Sequence, residues 1–316
     1  MRNAEQVTFG GSGLDRAAEL RPNWKDMIAE GSGECVVLWR GKPLLRDGVA
    51  VRVPLGSLLL NDRSEPLAFI GCEGEKRIFG ADISPWVPPE QDTESVGQFV
   101  DASLQEHPLA PEGAVFTELR RAMVDISVRD AELIATAKAL FEWHRTHQFC
   151  SKCGDKSEMA MGGWERHCPQ CGGKHFPRTD PVVIMLITSG NKVLMGRSPF
   201  WPEGMYSLLA GFVEPGEPLE AAVRREVYEE AGIRVGQVDY LSSQPWPFPN
   251  SLMFGCWGRA LNEDINIDPE EIEDALWVSR EDMMQVFAGE HPQIKPARRG
   301  AIAHFLLQRW LADDLD

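Results

Sequence analysis

Residues 211–233 read GFVEPGEPLEAAVRREVYEEAGI, a pattern that a plain surface helix has no reason to carry. Pro218 suits a first helical position and Gly232 a position just past a helix end, with good helix formers between them. At about 100° per residue, Leu219, Ala222, Val223, Glu226 and Glu230 point roughly the same way, with Glu229 at the edge. The apolar stripe that should bury this helix therefore runs into a carboxylate cluster. Like charges one helical turn apart are unfavourable even on a surface, and burial makes them far costlier. An ordinary acidic helix would set its glutamates opposite the leucine. The cluster instead asks for a cation, and a hard divalent ion such as Mg²⁺ or Mn²⁺ prefers oxygen ligands.

The spacing is as specific as the pattern. Gly211 is followed after five residues by Glu217, and after seven more by Arg225-Glu226, an aliphatic residue, a spacer, Glu229-Glu230, a spacer and Gly232-Ile233. This resembles the Nudix box, with every fixed position present. The resemblance implies a loop–helix that holds metal ions over a pyrophosphate, in a family that hydrolyses nucleoside diphosphates linked to another group. It also implies an α/β/α sandwich with a mixed sheet. The flanking segments suit that fold. Residues 182–188 form a continuous apolar run fit for a central strand, 192–196 its hairpin partner, and 206–212 a strand feeding the box. Further strands are expected over 238–243, 252–260 and 275–279, and a C-terminal helix over 295–312 with Ile302, Phe305, Leu306 and Trp310 on one face.

Beyond the box lies SQPWPFPNS, residues 243–251. Alternating prolines fix the backbone in extended form, so Trp246 and Phe248 are held at low entropic cost, either to meet a ligand or to build a rigid core corner. Before the Nudix segment stand Cys150-x2-Cys153 and, fourteen residues on, Cys168-x2-Cys171. Gly154, Gly172 and Gly173 follow the pairs directly, letting backbone amides turn toward the sulfurs. Two such knuckles suit a closed, four-thiolate, structural Zn²⁺ site; redox chemistry of a CxxC is the alternative. A hairpin through 159–161 and 164–167 is expected between them. His167 is a competing ligand, but four cysteines already complete the shell.

Upstream, residues 34–83 alternate short apolar runs (CVVLW, PLL, SLLL, LAFIG, RIFGADI) with turn signals, which predicts a β-meander or small sandwich of hairpins. Residues 1 to about 30 are polar and poorly periodic, and a proline-rich connection follows the strands at Pro85, Pro88 and Pro89. Ser127-x-x-Asp130 reads as a capping box opening a helix with Leu133, Ala137, Leu140, Phe141 and His144 at helical spacing. Trp143-His144 at its end suits a core or interface role. The organisation expected is a β-rich domain over 1–127, a connecting helix over 128–149, a zinc ribbon over 150–177 and a Nudix domain over 178–316.

The whole is 316 residues with 43% hydrophobic and 25% charged residues, a globular balance. No apolar run is long enough for a membrane span, and the start MRNAEQVTFGGSG lacks a secretory pattern. Seven cysteines, an odd number, and three of them isolated as Cys35, Cys72 and Cys256, fit free thiols in a reducing cytoplasm. A formal charge of −16 repels nucleic acid over most of the surface but permits gripping a single end in a pocket.

A β-rich N-terminal domain, a four-cysteine ribbon, a Nudix box and SQPWPFPxS, in that order, resemble the NADH pyrophosphatases, most specifically over about 131–301. That resemblance implies Mg²⁺ or Mn²⁺ ligands at Glu226, Glu229, Glu230 and Glu271, the last chosen from the crowded run EEIED, with Arg225 orienting the glutamates. It implies that Phe212 stacks on the nicotinamide ring and that Phe176 closes the stack from the partner of a homodimer. The family commonly has tyrosine at that second place, so the ring is kept and the hydroxyl lost. Gln244, Trp246, Phe248, Ser251, Met253 and Ala297 fall at other substrate-lining positions. The implied reaction cleaves the pyrophosphate of NADH or NAD⁺ to nicotinamide mononucleotide and AMP, with Glu230 as candidate base. Removal of the NAD cap from RNA 5′ ends uses the same bond. A non-catalytic NAD-sensing regulator is the remaining class, against which the intact carboxylate set argues.

Overall fold

In the computed structural model the described residues are 4–88, 103–199 and 201–315, so Pro89 of the expected connection lies outside them. Two units emerge, each described by itself: Phe9–Thr179 with Trp246–Asn250, and Asp180–Pro245 with Ser251–Asp316 and the described part of Met1–Thr8.

In the first unit the alternating apolar runs form strands β1 (Glu34–Trp39), β2 (Lys42–Arg46), β3 (Val49–Ala50), β4 (Arg52–Pro54), β5 (Ala68–Glu73), β6 (Lys76–Asp82), β7 (Gln105–Glu106) and β8 (Val115–Phe116). They make one sheet in the order β5-β6-β1-β2-β8-β7, with β3 beside β2 and β4 beside β1. The expected run of hairpins is corrected on two points. Strand β1 lies parallel to β6, so the sheet is mixed. The SLLL segment is a 3-10 turn, Leu58–Asp62, closed by Arg63 Nη1 donating to the Leu60 carbonyl. The polar-looking N-terminal stretch also holds a helix, α1 (Trp24–Ala29), whose Trp24 and Met27 are buried in the sheet's core.

After the short helix α2 (Leu119–Ala122), Ser127 opens α3 (Val128–Thr146), with the Asp130 amide donating to Ser127 Oγ at 3.0 Å. This is the expected capping box. Leu133, Ile134, Ala137, Leu140 and Phe141 pack against Val36, Leu38, Ile70 and Ile78 of the sheet. Gly80 lets the helix come close, since a Cβ there would sit 3.0 Å from that of Ala137. The helix expected as a connector is therefore a layer of this unit's core.

The ribbon is a three-stranded sheet of β9 (Glu158–Ala160), β10 (Glu165–His167) and β11 (Lys174–His175), with β10 in the middle. It is bolted to the same unit. Buried Arg166 donates from Nη1 to His144 Nδ1 at 2.9 Å and from Nε to Ser157 Oγ at 2.9 Å, and Trp164 Nε1 donates to the Phe69 carbonyl. Burial and the Arg166 charge hold His144 down to about 4, so it stays neutral and accepts that bond. The Trp143-His144 pair is core, as its sequence context suggests.

In the second unit the continuous apolar run becomes β12 (Asp180–Ser189), the centre of a mixed sheet. Around it stand β13 (Lys192–Arg197), β14 (Leu209–Phe212), β15 (Val235–Trp246), β16 (Ser251–Ala260) and β17 (Asp274–Ser279). The main order is β15-β16-β12-β13-β17, β14 also pairs with β12, and β16 runs parallel to β12. Helix α4 (Leu219–Ala231) covers one face through Ala222, Val223 and Val227. The other face is covered by α5 (Arg280–Ala288) and α6 (Ile302–Leu311) through Met283, Val286, Ile302 and Leu306. That is the α/β/α sandwich the box implies. The C-terminal helix begins later than residue 295, after Pro296 and after Gly300 at φ 87°.

Candidate active site and metal centres

The box builds its own frame. Helix α4 starts after Pro218 and ends at Gly232 with φ 69°, a left-handed stop that suits glycine. Strand β14 brings Gly211 under the helix, and a Cβ on Gly211 would fall 1.9 Å from the Glu226 carboxyl carbon. No larger residue leaves Glu226 where it is. Arg225 then ties the loop to the helix. Its Nε donates to Glu217 Oε2 (3.2 Å), Nη1 to Glu226 Oε1 (2.9 Å) and Glu229 Oε2 (3.1 Å), and Nη2 to the Phe212 carbonyl (2.9 Å). Arg225 thus bonds the loop glutamate, two helix glutamates and the backbone of Phe212 together.

Glu230 is the buried member. Its Oε2 has no hydrogen-bond partner, and burial, with the charges of Glu226, Glu271 and Glu229, pushes its carboxyl up to about 8. Burial also raises Glu226, against the pull of Arg225. A buried acid facing three others, with an oxygen left unpaired, is poised for a cation rather than for a salt bridge. The donor set is all carboxylate oxygen, which fits Mg²⁺ or Mn²⁺. The carboxylates are not drawn into a tight shell: among the described residues only the four cysteines bring their ligand atoms within 4.8 Å of one another.

The crowded acids after Asp268 sort themselves. Glu273 accepts from Arg197 Nε at 2.7 Å and Asp274 accepts from the Tyr206 hydroxyl, so both are engaged elsewhere. Glu271, held by its amide donating to the Asp268 carbonyl, adds its charge to those that raise Glu226 and Glu230.

Phe212 is 59% exposed and lies opposite Val182, which in turn lies beside Met253 on β16. These three form a row on the α6 side of the sheet, where Met253 and Ala297 also pack, while the glutamates occupy the α4 side. Ser251 sits beside Asp180 at the same strand ends. Gln244 is 1% exposed and saturated: Nε2 donates to the carbonyls of Thr8 and Gly300, and Oε1 accepts from the Ile302 amide. It fixes the start of α6 and the turn after Ala297. Trp246 and Phe248 pack in the first unit, 4.9 Å apart between centroids, against Phe9, and Arg120 lies 3.9 Å from the Phe248 ring. Gln244, Trp246 and Phe248, expected to line substrate, thus have tertiary partners, as Met253 and Ala297 do. Phe176, 63% exposed, follows β11 on the ribbon.

The four sulfurs all lie within 4.8 Å of one another. Cys150 and Cys171 Sγ are 3.6 Å apart and Cys153 and Cys168 Sγ 3.5 Å, near the roughly 3.8 Å edge of a tetrahedron with metal–sulfur bonds of about 2.3 Å. Lys152 N donates toward Cys150 Sγ, and a Cβ on Gly173 would lie 3.2 Å from that sulfur, so the glycine leaves the knuckle room to close. His167 is engaged with Glu165 at 2.6 Å and stands outside the cluster. His175, which the spacing did not single out, lies 3.2 Å from Cys150 Sγ as a partner to the thiolate.

Comparison with known proteins agrees segment by segment. Residues 32–143 match the NADH pyrophosphatase-like rudimentary NUDIX domain, 145–176 the NADH pyrophosphatase zinc ribbon domain and 177–305 the NUDIX domain. A human protein described as NAD-capped RNA hydrolase NUDT12 is 42% identical over 60% of this chain and 44% of its own length, so the chain spans about half of that relative. A human mitochondrial NAD(P)H pyrophosphatase, NUDT13, is 33% identical over 79% of this chain and 72% of its own length. The NAD-capped RNA hydrolase NudC of Stutzerimonas stutzeri is 38% identical over 63% of this chain and 69% of its own length. The first domain, which showed no chemical motif in its sequence, is thus itself a degenerate relative of the last. The chain belongs to the Nudix family, in the group that joins an NADH pyrophosphatase-like domain and a zinc ribbon to the Nudix domain.

Proposed function

We propose that this protein hydrolyses the pyrophosphate bond of NADH and NAD⁺, giving nicotinamide mononucleotide, reduced when NADH is the substrate, and AMP. The observation that carries the reading is the buried, unpaired Glu230 carboxyl at the centre of the Glu226, Glu229 and Glu271 set, framed by Arg225 and Gly211. When bound there, Mg²⁺ or Mn²⁺ would neutralise the diphosphate and make water a better nucleophile. Glu230 takes the proton of the attacking water. The new P–O bond forms at one phosphorus as the bridging P–O bond breaks, and the second mononucleotide leaves with its phosphate. Phe212 offers an exposed aromatic face to the nicotinamide ring, and Arg225 holds its backbone at a fixed distance from the carboxylates.

The four thiolates hold a structural Zn²⁺, because a closed four-sulfur shell leaves no position for substrate. Two copies associate as a homodimer in which Phe176 of one completes the ring stack begun by Phe212 of the other. None of the seven cysteines is paired in a disulfide, which suits a reducing cytoplasm. Among the described residues no helix is long and apolar enough to cross a membrane. Removal of an NAD cap from RNA is the second reading, favoured by the activities for which two of the relatives are named. With a formal charge of −16, the protein would grip the capped end rather than a length of RNA.

Turnover of NADH with and without Mg²⁺ or Mn²⁺ tests the reading. Glu226→Gln and Glu230→Gln should each lower kcat about a hundredfold or more at unchanged fold. Near-normal turnover in both variants, or wild-type turnover indifferent to divalent metal, rejects it.

A further inference from the structure

The N-terminal unit has no acidic box, yet it holds a cavity of about 360 Å³ whose lining sets Arg40, Lys138 and Arg145 against Asp82 and Glu142. Three elements meet there: the β1–β2 turn, the end of β6 and one side of α3. The turn residues Arg40 and Gly41 have φ of 48° and 75°, the two-residue hairpin geometry that glycine favours. Arg40 lies over Trp39 at 4.7 Å and makes no ion pair among the described residues. A Cβ on Gly41 would come 2.9 Å from Lys138 Nζ, so the bare glycine keeps that ammonium reachable from the cavity.

The acids in the lining are engaged. Glu142 accepts from Arg145 Nε at 3.0 Å, and Asp82 accepts from the Ser84 amide at 3.0 Å and from Ser64 Oγ at 3.2 Å. Lys138 is different. It makes no hydrogen bond or ion pair among the described residues; its ammonium rests 5.3 Å from the Phe248 ring. Burial lowers its pKa, against the pull of the Glu142 and Glu118 charges nearby. Two cations with no ion pair among the described residues, one a guanidinium fork and one a compact ammonium, line the same open cavity.

We propose that this cavity is a second ligand site, taking the phosphate group of a small phosphate or phosphomonoester between Arg40 and Lys138. The volume exceeds inorganic phosphate and accommodates a small organic phosphate. The site is independent of the carboxylate cluster and of the hydrolytic reading.

Pyridoxal phosphate tests it, because it carries both a phosphate and an aldehyde. A lysine amine adds to the aldehyde with loss of water, and borohydride reduces the imine to a stable amine that peptide mass mapping locates. Lys138 should be labelled ahead of the surface lysines, and inorganic phosphate and AMP should protect it while adenosine does not. Arg40→Gln should raise the phosphate concentration for half-protection about fivefold or more. Glu226→Gln should leave protection unchanged, which separates this site from the catalytic one. Labelling spread evenly over surface lysines overturns the proposal, and so does Lys138 labelling that phosphate fails to block or that adenosine blocks equally. Protection that Glu226→Gln abolishes overturns it as well, by moving the phosphate to the catalytic cluster.

Discussion

Glu230 shows how one residue can state a site's purpose. A surface glutamate would find water or a lysine, but this one is buried with an oxygen unpaired and three carboxylates around it. Its proton consequently belongs to the folded state. The folded pKa, about 8, lies above the unfolded value of about 4.3, so the folded chain holds a proton the unfolded chain has lost. The stability this contributes is complete below the unfolded value and is lost as pH rises toward about 8. Without added divalent cation, the wild-type melting temperature should therefore fall between about pH 5 and 8, and Glu230→Gln should flatten that slope. Thermal unfolding across the range measures it, and an unchanged slope in Glu230→Gln contradicts the assignment. The same residue was visible in the sequence because Gly211, Arg225 and the glutamates are spaced by local helix and loop geometry. Glu271 is harder to read from sequence, since the pairing of its neighbour Glu273 with Arg197 is a tertiary contact.

At the scale of elements, the ribbon makes the clearest physical claim. Its few short strands bury little by themselves, so the sulfur cluster and the Arg166–His144 contact must hold it. Cys150→Ser or Cys171→Ser should lower the melting temperature by about 5 °C or more and open the ribbon to protease, with wild type carrying one zinc per chain. Elemental analysis finding no zinc in protein purified without chelator, or variants melting as wild type does, would count against it. Elements whose pattern is local were legible: β12, β16, α4 and the Ser127 cap stand where periodicity and caps put them. Helix α5 was not, although Ser279 accepting from the Asp282 amide and Gly289 at φ 75° were signals for it. The loop 243–251 was legible as a motif but not as a set of contacts. Alternating Pro and aromatic residues fit a ligand wall and a core corner equally well, and only Phe9, Arg120 and Lys138, distant in sequence, decide which neighbours Trp246 and Phe248 have.

For the whole molecule, the order of segments carried most of the information, because each of the three family matches covers a stretch whose motif or periodicity marks it off. The rudimentary Nudix character of the first domain was hidden: a domain without the acidic box keeps strands and a helix but no chemical signature. The proposed homodimer makes a prediction at this scale. Phe176→Ala should raise KM roughly tenfold, the value of one aromatic stack, and Glu230→Gln should abolish most turnover. Heterodimers of the two should regain one intact composite site and about half of wild-type activity, because both lesions fall in the other site. Heterodimers of proven mass that stay inactive would remove the shared site. The claim beneath all of this is that the carboxylate centre cuts a pyrophosphate. Chromatography of the products after incubating pure protein, Mg²⁺ or Mn²⁺ and NADH tests it most directly. Reduced nicotinamide mononucleotide and AMP in equal amounts are predicted; intact NADH, or free nicotinamide with the ADP-ribose portion left whole, would contradict it.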